Sequence, residues 1–173
     1  MDIHYANHDV EQLVLEVIDT VRPLINKNNN QLSVKLADDI GEMYSDRTIV
    51  QQILLNLISN AAKFTTDGQI KLEVTDTVVN DKEHIVFTVS DTGIGMEEDQ
   101  INNVFNEFSQ ANSVTVPQSG GIGLGLNISK RYCTLLDGKI SAISKINAGS
   151  QFCVILPRNT DKQAALKIME GQG

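Results

Sequence analysis

Two asparagines and a lysine share one stripe of a predicted helix. Asn56, Asn60 and Lys63 lie at i, i+4 and i+7 within Arg47–Phe64, whose apolar residues follow helical spacing. Asparagine is unfavourable inside a helix because its side chain competes for backbone hydrogen bonds. Its amide oxygen is a ligand that Mg²⁺ accepts, and a nearby ammonium attracts anions. The stripe indicates either an ordinary solvated helix flank or a metal-assisted anion site.

Two glycine-rich segments supply further candidates. VSDTGIGM ends a predicted strand at Asp91 and continues through Gly93 and Gly95. A dinucleotide fingerprint is excluded because it would need glycine where Glu98 stands. GGIGLGL, residues 120–126, opens directly into a predicted helix but lacks the G-K-[ST] of a Walker loop. Because glycines at a helix N-terminus let backbone N–H groups approach an anion, we expect a phosphate site there.

The charge balance argues against a partner with a phosphate backbone. The chain has 173 residues, with 14 Lys+Arg and 22 Asp+Glu, for a net charge of −8, whereas nucleic-acid affinity rests on clustered cations. Hydrophobic residues make up 41% of the chain, enough for a core, and no apolar run approaches the roughly 18 residues that span a bilayer. We predict one globular domain with no nucleic-acid partner and no membrane contact of its own.

The cysteines and the first residues bear on the compartment. Cys133 and Cys153 are each flanked by apolar residues and lie in no metal-ligand spacing, so we expect buried free thiols in a reducing compartment. The start of the chain lacks the basic and apolar stretches of a signal peptide. The sequence therefore predicts a cytoplasmic location for this domain, whether or not the parent protein is anchored in a membrane.

Hydrophobic periodicity predicts the elements that position these residues. Three-and-four spacing predicts helices over 9–26, 47–64 and 124–136 and a short helical piece at QINNVFNEF. Asp9 would cap the first helix, and Pro23 would kink it or weaken its last turn. Alternation predicts strands at LSVKLAD, IKLEVTD, HIVFTVSD, GKISAIS and SQFCVILP, with a turn at VNDKE. We therefore predict an α/β (α+β) two-layer sandwich, in which three helices cover one face of a mixed, mainly antiparallel sheet. The domain would span residues 1–158, and 159–173 would form a polar tail, either a frayed helix or disordered.

Taken in order, these segments resemble the catalytic ATP-binding domain of sensor histidine kinases, in the wider group of DNA gyrase B, Hsp90 and MutL. QQILLNLISNAAKFT is similar to the asparagine box of that family, VSDTGIGM to its first glycine box and VFNEF to its phenylalanine box. GGIGLGLNISK is similar to the second glycine box and NAGSQFCVILP to the closing strand. The resemblance covers roughly residues 10–157 and implies a Bergerat-type ATP-binding fold, with ATP under a lid at 105–120.

The resemblance also implies a role for each matching residue. Asn60 would bind Mg²⁺ with Asn56 assisting, and Lys63 would reach a phosphate of ATP. Asp91 would accept a hydrogen bond from the adenine amino group. The other implied contacts with ATP come from the glycine boxes, the lid anchors and the closing strand: Gly93, Gly95, Phe105, Phe108, Gly121, Gly123, Leu124, Gly125, Leu126 and Ser150.

The activity implied is that of a protein-histidine kinase, which donates the γ-phosphate of ATP to a histidine on a dimerisation hairpin. His4, His8 and His84 do not lie in an H-[DE]-x-x-x-P setting. We therefore expect that the hairpin is absent from this chain and that the chain alone is a monomer without autophosphorylation. The downstream partner implied is the receiver domain of a response regulator.

Two other functions stay open. A degenerate domain would sense nucleotide or dock a partner without transferring phosphate, and the absence of Lys and Arg from Glu83 to Ser129 favours it, whereas the intact asparagine box opposes it. Ile122 also stands where Thr or Ser is commoner, and Asn147 replaces the first glycine of the closing G-x-G-[ST] pattern. A hydrolysing ATPase is disfavoured because Asn56 stands where gyrase-like and Hsp90-like members carry a glutamate base.

With its neutral composition, the lid from 109 to 120 is expected to be mobile without nucleotide and to close weakly.

Overall fold

The structure, a computed structural model, describes residues 2–105 and 122–160, with side chains in the second range described from 125 onward. Its elements in chain order are β1 (Ala6–Asp9), α1 (Val10–Lys27), β2 (Gln31–Leu36), β3 (Glu42–Ser45), α2 (Arg47–Phe64), β4 (Gln69–Val79), β5 (Lys82–Asp91), α3 (Glu98–Asn103), α4 (Ile122–Leu135), β6 (Lys139–Lys145) and β7 (Gly149–Pro157). Across these two ranges, no helix is both long and apolar enough to pass through a bilayer.

Five strands form the main sheet in the order β2-β4-β5-β7-β6. β2 and β4 run parallel, and the other neighbours are antiparallel, as predicted. The parallel pair is possible because α2 carries the chain across between them. The β4–β5 turn has only two residues, Asn80 and Asp81, both at positive φ (53° and 64°), instead of the predicted five. Asn and Asp tolerate this conformation, and such a turn matches the twist of the strands.

Helices α1, α2 and α4 pack on one face of this sheet, with α2 in the centre. Their buried apolar residues meet those of the strands, among them Leu54, Ile58, Phe87 and Val154, in one core. This arrangement confirms the predicted two-layer sandwich. Within the core Cys133 is buried, whereas Cys153 is half-buried, and both are free thiols.

The first helix begins as predicted but ends differently. The Asp9 side chain accepts a hydrogen bond from the Gln12 backbone N–H at 3.2 Å and caps α1. The helix continues past Pro23 to Lys27. Proline leaves the carbonyl of Asp19 without its helical partner, and both residues are exposed, so water can solvate that group.

A second, two-stranded sheet was not predicted. β1 and β3 pair antiparallel, with Asn7 opposite Tyr44. Tyr44 also accepts a hydrogen bond from the Thr160 backbone N–H at 2.8 Å, and its own N–H donates to the Arg158 carbonyl at 2.7 Å. The fold thus extends two residues past the predicted boundary at 158. The remainder of the predicted tail, 161–173, lies outside the described residues and stays a prediction.

Candidate functional site

Asn56 joins helices α2 and α4. Its amide nitrogen donates to the Gly125 carbonyl oxygen and to the Ser129 hydroxyl, each at 3.3 Å. Its amide oxygen accepts from Nε2 of Gln52 at 2.9 Å. Both ends of the amide are therefore engaged, and any part in metal binding would use the second lone pair of Oδ1.

Asn60 lies one turn further along α2 and faces the start of α4. Its amide nitrogen is buried and has no hydrogen-bond partner among the described residues. A Cβ atom on Gly125 would lie 3.5 Å from that nitrogen, so the two helices approach closely here. Leaving such a group unpaired costs about 1–3 kcal/mol. The amide is therefore of the kind that a bound ligand completes.

Lys63 stands on the last turn of α2, at the open end of the same stripe. Its side chain is exposed, and Nζ lies 5.9 Å from the centroid of the Phe64 ring. Within the part of the chain that the structure describes, this ammonium forms no ion pair with a carboxylate. It is thus available to an anionic ligand.

Asp91 ends β5 and is held by the backbone on both sides. Oδ1 accepts from the Gly93 N–H at 2.9 Å and from the Ser150 N–H at 3.3 Å. Burial raises the pKa of this carboxyl, and the hydrogen bonds from the Gly93 and Ser150 backbone, together with the Thr65 side chain, oppose that rise. The geometry fixes one oxygen toward the backbone and orients the carboxyl group.

The first glycine segment packs against two other backbone segments. A Cβ atom on Gly93 would overlap the Phe64 carbonyl oxygen, and one on Gly95, whose φ is +70°, would overlap the Lys145 carbonyl oxygen. The Ile94 N–H donates to the Phe64 carbonyl at 3.2 Å. These two glycines are needed for contact with the end of α2 and with the β6–β7 turn. Their predicted approach to a base stays a prediction.

The closing segment contains a glycine that the sequence reasoning did not single out. Gly149 has φ +91°, and a Cβ atom there would overlap the Asp91 carbonyl oxygen. Its position in the closing G-x-G-[ST] pattern was the available signal. Asn147 has φ 63°, a left-handed conformation that Asn tolerates better than most residues, so its substitution for glycine is accommodated. Its N–H donates to the Ile94 carbonyl at 2.8 Å and joins the two loops.

The other predicted contacts divide into three groups. Phe105 packs its ring edge-on against Phe152 with the centroids 6.1 Å apart. Leu126 is fully buried in the core, so its backbone alone could reach a ligand. The remaining positions are in the first turn of α4 (Gly123 and Leu124) or, like the predicted lid, outside the described residues (Phe108 and Gly121).

An asparagine cluster at the end of α1, which was not predicted, supports the end of α2. Asn30 is buried, and its amide nitrogen donates to the Thr65 carbonyl at 2.8 Å while its oxygen accepts from the Gly68 N–H at 3.0 Å. Asn28 donates to the Ala62 carbonyl at 2.9 Å. These side chains fix the end of α2, which in turn holds the loop after Asp91.

The polar groups around the second half of α2 suit a ligand that brings its own negative charge. In the described ranges, no three His, Cys, Asp or Glu side chains gather as a metal cage. A divalent cation would therefore be held by amide oxygen together with the ligand. We define the candidate cleft as the region beside the second half of α2, between the oriented carboxyl of Asp91 and the unpaired amide nitrogen of Asn60.

Comparison with known proteins gives consistent matches. Residues 45–160 match the family described as histidine kinase-, DNA gyrase B-, and HSP90-like ATPase. The chain is 34% identical over 150 residues to the peroxide stress-activated histidine kinase mak2 of Schizosaccharomyces pombe, covering 83% of this chain and 6% of that protein. It is 37% identical over 139 residues to the autoinducer 2 sensor kinase/phosphatase LuxQ of Vibrio parahaemolyticus, covering 79% of this chain and 16% of that protein.

A solved structure agrees with the fold. Full-length ShkA, crystallised in complex with AMPPNP, superposes with a TM-score of 0.77 at 25% identity, over 91% of this chain and 32% of that one. The chain thus spans only a small part of the length of each of these three proteins.

Proposed function

Because the chain belongs to the histidine kinase-, DNA gyrase B- and HSP90-like ATPase family, we propose that it is the catalytic domain of a sensor histidine kinase, binding ATP with Mg²⁺. It donates the γ-phosphate to a histidine on a separate dimerisation hairpin. The observation that carries the proposal is the polar pair beside the second half of α2, the oriented carboxyl of Asp91 and the buried unpaired amide nitrogen of Asn60.

The carboxyl of Asp91 recognises the base. Since Oδ1 is occupied by two N–H donors, the other oxygen is the acceptor for the 6-amino group of adenine. Gly93, Gly95 and Ser150 position this acceptor through the backbone contacts described above. A carboxylate would face the 6-oxo group of guanine unfavourably, so the site prefers ATP.

The stripe on α2 binds the phosphates. Asn60 supplies an amide oxygen to Mg²⁺, with Asn56 assisting, and Lys63 pairs with a phosphate oxygen. The absence of a carboxylate cage among the described residues fits a cation that arrives with its nucleotide, and the unpaired amide nitrogen of Asn60 can donate to a phosphate oxygen. When bound, Mg²⁺ neutralises charge that develops on the transferred phosphoryl group.

Asn56 favours transfer over hydrolysis. Its oxygen accepts a hydrogen bond from Gln52, and a neutral amide does not take a proton from water at neutral pH. Without a general base at this position, attack by water is not promoted. The phosphoryl group therefore goes to a nucleophile that the hairpin presents.

The partners and location proposed follow from the same assignment. The hairpin would be the immediate substrate, and the receiver domain of a response regulator would take the phosphoryl group from it. The kinases mak2 and LuxQ among the relatives support this scheme. The domain would lie in the cytoplasm and would be a monomer on its own.

A degenerate nucleotide-sensing module is the second candidate. The absence of Lys and Arg from Glu83 to Ser129 favours it, because efficient phosphoryl transfer relies on charge neutralisation. In that case the cleft would bind ATP, yet a hairpin supplied to it would stay unphosphorylated.

The test supplies the cognate hairpin in trans with ATP labelled at the γ-phosphate. We expect Mg²⁺-dependent label on the histidine, lost in Asn60→Ala and kept in Gln12→Ala, a matched change of an exposed helical amide. ATP binding without label would identify the degenerate module. Release of phosphate at the same rate with and without the hairpin would identify a hydrolase, and either result would overturn the kinase assignment.

A further inference from the structure

Three polar side chains form a row across the sheet at the cleft. Asp91 on β5 is opposite Ser150 on β7, and Ser150 is opposite Ser144 on β6. Directly opposed residues of neighbouring strands point to the same face. Phe152, two residues beyond Ser150 and thus on the same face, is buried beneath the helices. The row therefore lies on the ligand side of the sheet.

Ser144 has three hydrogen-bond partners, which use all its capacity. Its Oγ accepts from the Met96 N–H at 2.8 Å and donates to the Gly149 carbonyl at 2.9 Å. The hydroxyl of Ser150 lies 2.8 Å from the same Oγ. Ser144 was not among the residues that the sequence singled out.

The chemistry of these partners fixes the position of each proton. A carbonyl can only accept, so the single hydroxyl proton of Ser144 goes to Gly149. A backbone N–H can only donate, so Met96 takes one lone pair of Ser144. The remaining lone pair can only accept, and Ser150 must donate to it. The Ser150 hydroxyl is thereby left with lone pairs alone for any other partner.

We propose that Ser144 is a positioning residue that determines base specificity. By taking the Ser150 proton, it makes Ser150 an acceptor beside the acceptor oxygen of Asp91. The carboxyl of Asp91 and the hydroxyl of Ser150 then both meet the base as acceptors, which suits the 6-amino group of adenine and rejects a 6-oxo group. Ser144 also joins the two loops that flank Asp91 through Met96 and Gly149. The inference rests on the proposed ATP binding.

The test compares ATP with inosine triphosphate (ITP), which has a 6-oxo group and no 2-amino group. Dissociation constants for both are measured by calorimetry with Mg²⁺ for the wild type and three variants. In Ser144→Ala the Ser150 hydroxyl becomes free to donate, so the preference for ATP over ITP should fall about three- to tenfold. Ser144→Thr, which keeps the hydroxyl, should retain the preference. So should Ser141→Ala, an exposed serine of the same strand.

If Ser144→Ala weakens the binding of ATP and of ITP equally, so that the ratio of their affinities is unchanged, Ser144 has only a structural role and the inference is overturned. If Ser144→Ala does not fold, Ser150→Ala gives the readout, because removing the acceptor should also lower the ratio; an unchanged ratio there overturns the inference too. A wild type that binds neither nucleotide would overturn the proposed function, and this inference with it. A wild type that prefers ATP while Ser144→Ala keeps the full ratio would overturn this inference alone.

Discussion

Replacing Asp91 by asparagine should reverse the choice of base. The Gly93 and Ser150 N–H groups both donate to Oδ1, so they fix which way the new amide turns. Its oxygen stays toward the backbone, and its nitrogen takes the place of the second carboxyl oxygen. The cleft then presents a donor to the base where the wild type presents an acceptor.

The magnitude follows from the hydrogen bonds that are exchanged. A hydrogen bond to a charged group contributes about 1.5–3 kcal/mol, so ATP affinity should fall roughly ten- to 150-fold. ITP gains a neutral hydrogen bond worth about 0.5–1.5 kcal/mol, roughly two- to twelvefold in affinity. Calorimetric titration of both nucleotides with Mg²⁺ at pH 7.5 measures the change. If Asp91→Asn still prefers ATP, the assignment of Asp91 to the base is wrong.

The same variant should be more stable than the wild type at neutral pH. Burial raises the pKa of Asp91 above 3.8, so the folded state holds this proton more tightly than the unfolded state. The stability linked to that proton is fully present below pH 3.8 and is lost as the pH rises through the folded pKa. The advantage of Asp91→Asn in urea midpoint should therefore grow from pH 4 to pH 7. An advantage that is independent of pH would contradict this cause.

Three further predictions concern other parts of the fold. Asn60→Ala should abolish the enhancement of ATP binding by Mg²⁺ while leaving the circular dichroism spectrum unchanged, and a retained enhancement would remove Asn60 from the metal site. Gly95→Ala should destabilise the protein by more than about 1 kcal/mol in urea, because the new Cβ meets the Lys145 carbonyl at positive φ; Gly125→Ala, inside a helix with the nearest atom 3.5 Å away, should be neutral or stabilise it by about 0.5–1 kcal/mol. Burial, with Arg47 nearby, lowers the pKa of His8 below 6.5, so the wild type should lose stability relative to His8→Leu as the pH falls from 7.5 to 5.5, and parallel urea midpoints across that range would exclude the effect.

Periodicity predicted the elements that bury a long apolar stripe or alternate over many residues. The helix with Leu54 and Ile58 and the strand with Phe87 are of this kind, because their patterns leave a single face for the core. β1 and β3 were missed since each has four residues, ANHD and EMYS, too few and too polar for a period to emerge. Their pairing depends on partners far along the chain, such as Thr160.

The sequence singled out candidate site residues but did not predict the contacts that the structure gives them. Asp91 and Asn60 stood out because a carboxyl at the end of a strand and an amide inside a helix each suggest a functional role. The glycines were assigned to a ligand, whereas the structure packs Gly93 and Gly95 against carbonyls of α2 and of the β6–β7 turn. Ser144 was missed because a serine in an alternating strand carries no local signal of its three partners.

The pairing of both β1 and Thr160 with Tyr44 joins the first and last described segments at one place in the domain. Along β5, seven residue steps at about 3.3 Å each, roughly 23 Å, separate Asp91 from His84, which is opposite Pro157 near that pairing. The first and last described segments therefore lie near one end of β5, and Asp91 lies at the other. A rotation of about 10° about the first of these ends would carry a nucleotide bound beside Asp91 through roughly 4 Å. A small rotation at Tyr44 would therefore displace the Asp91 end of the domain without rearranging the residues around Asp91.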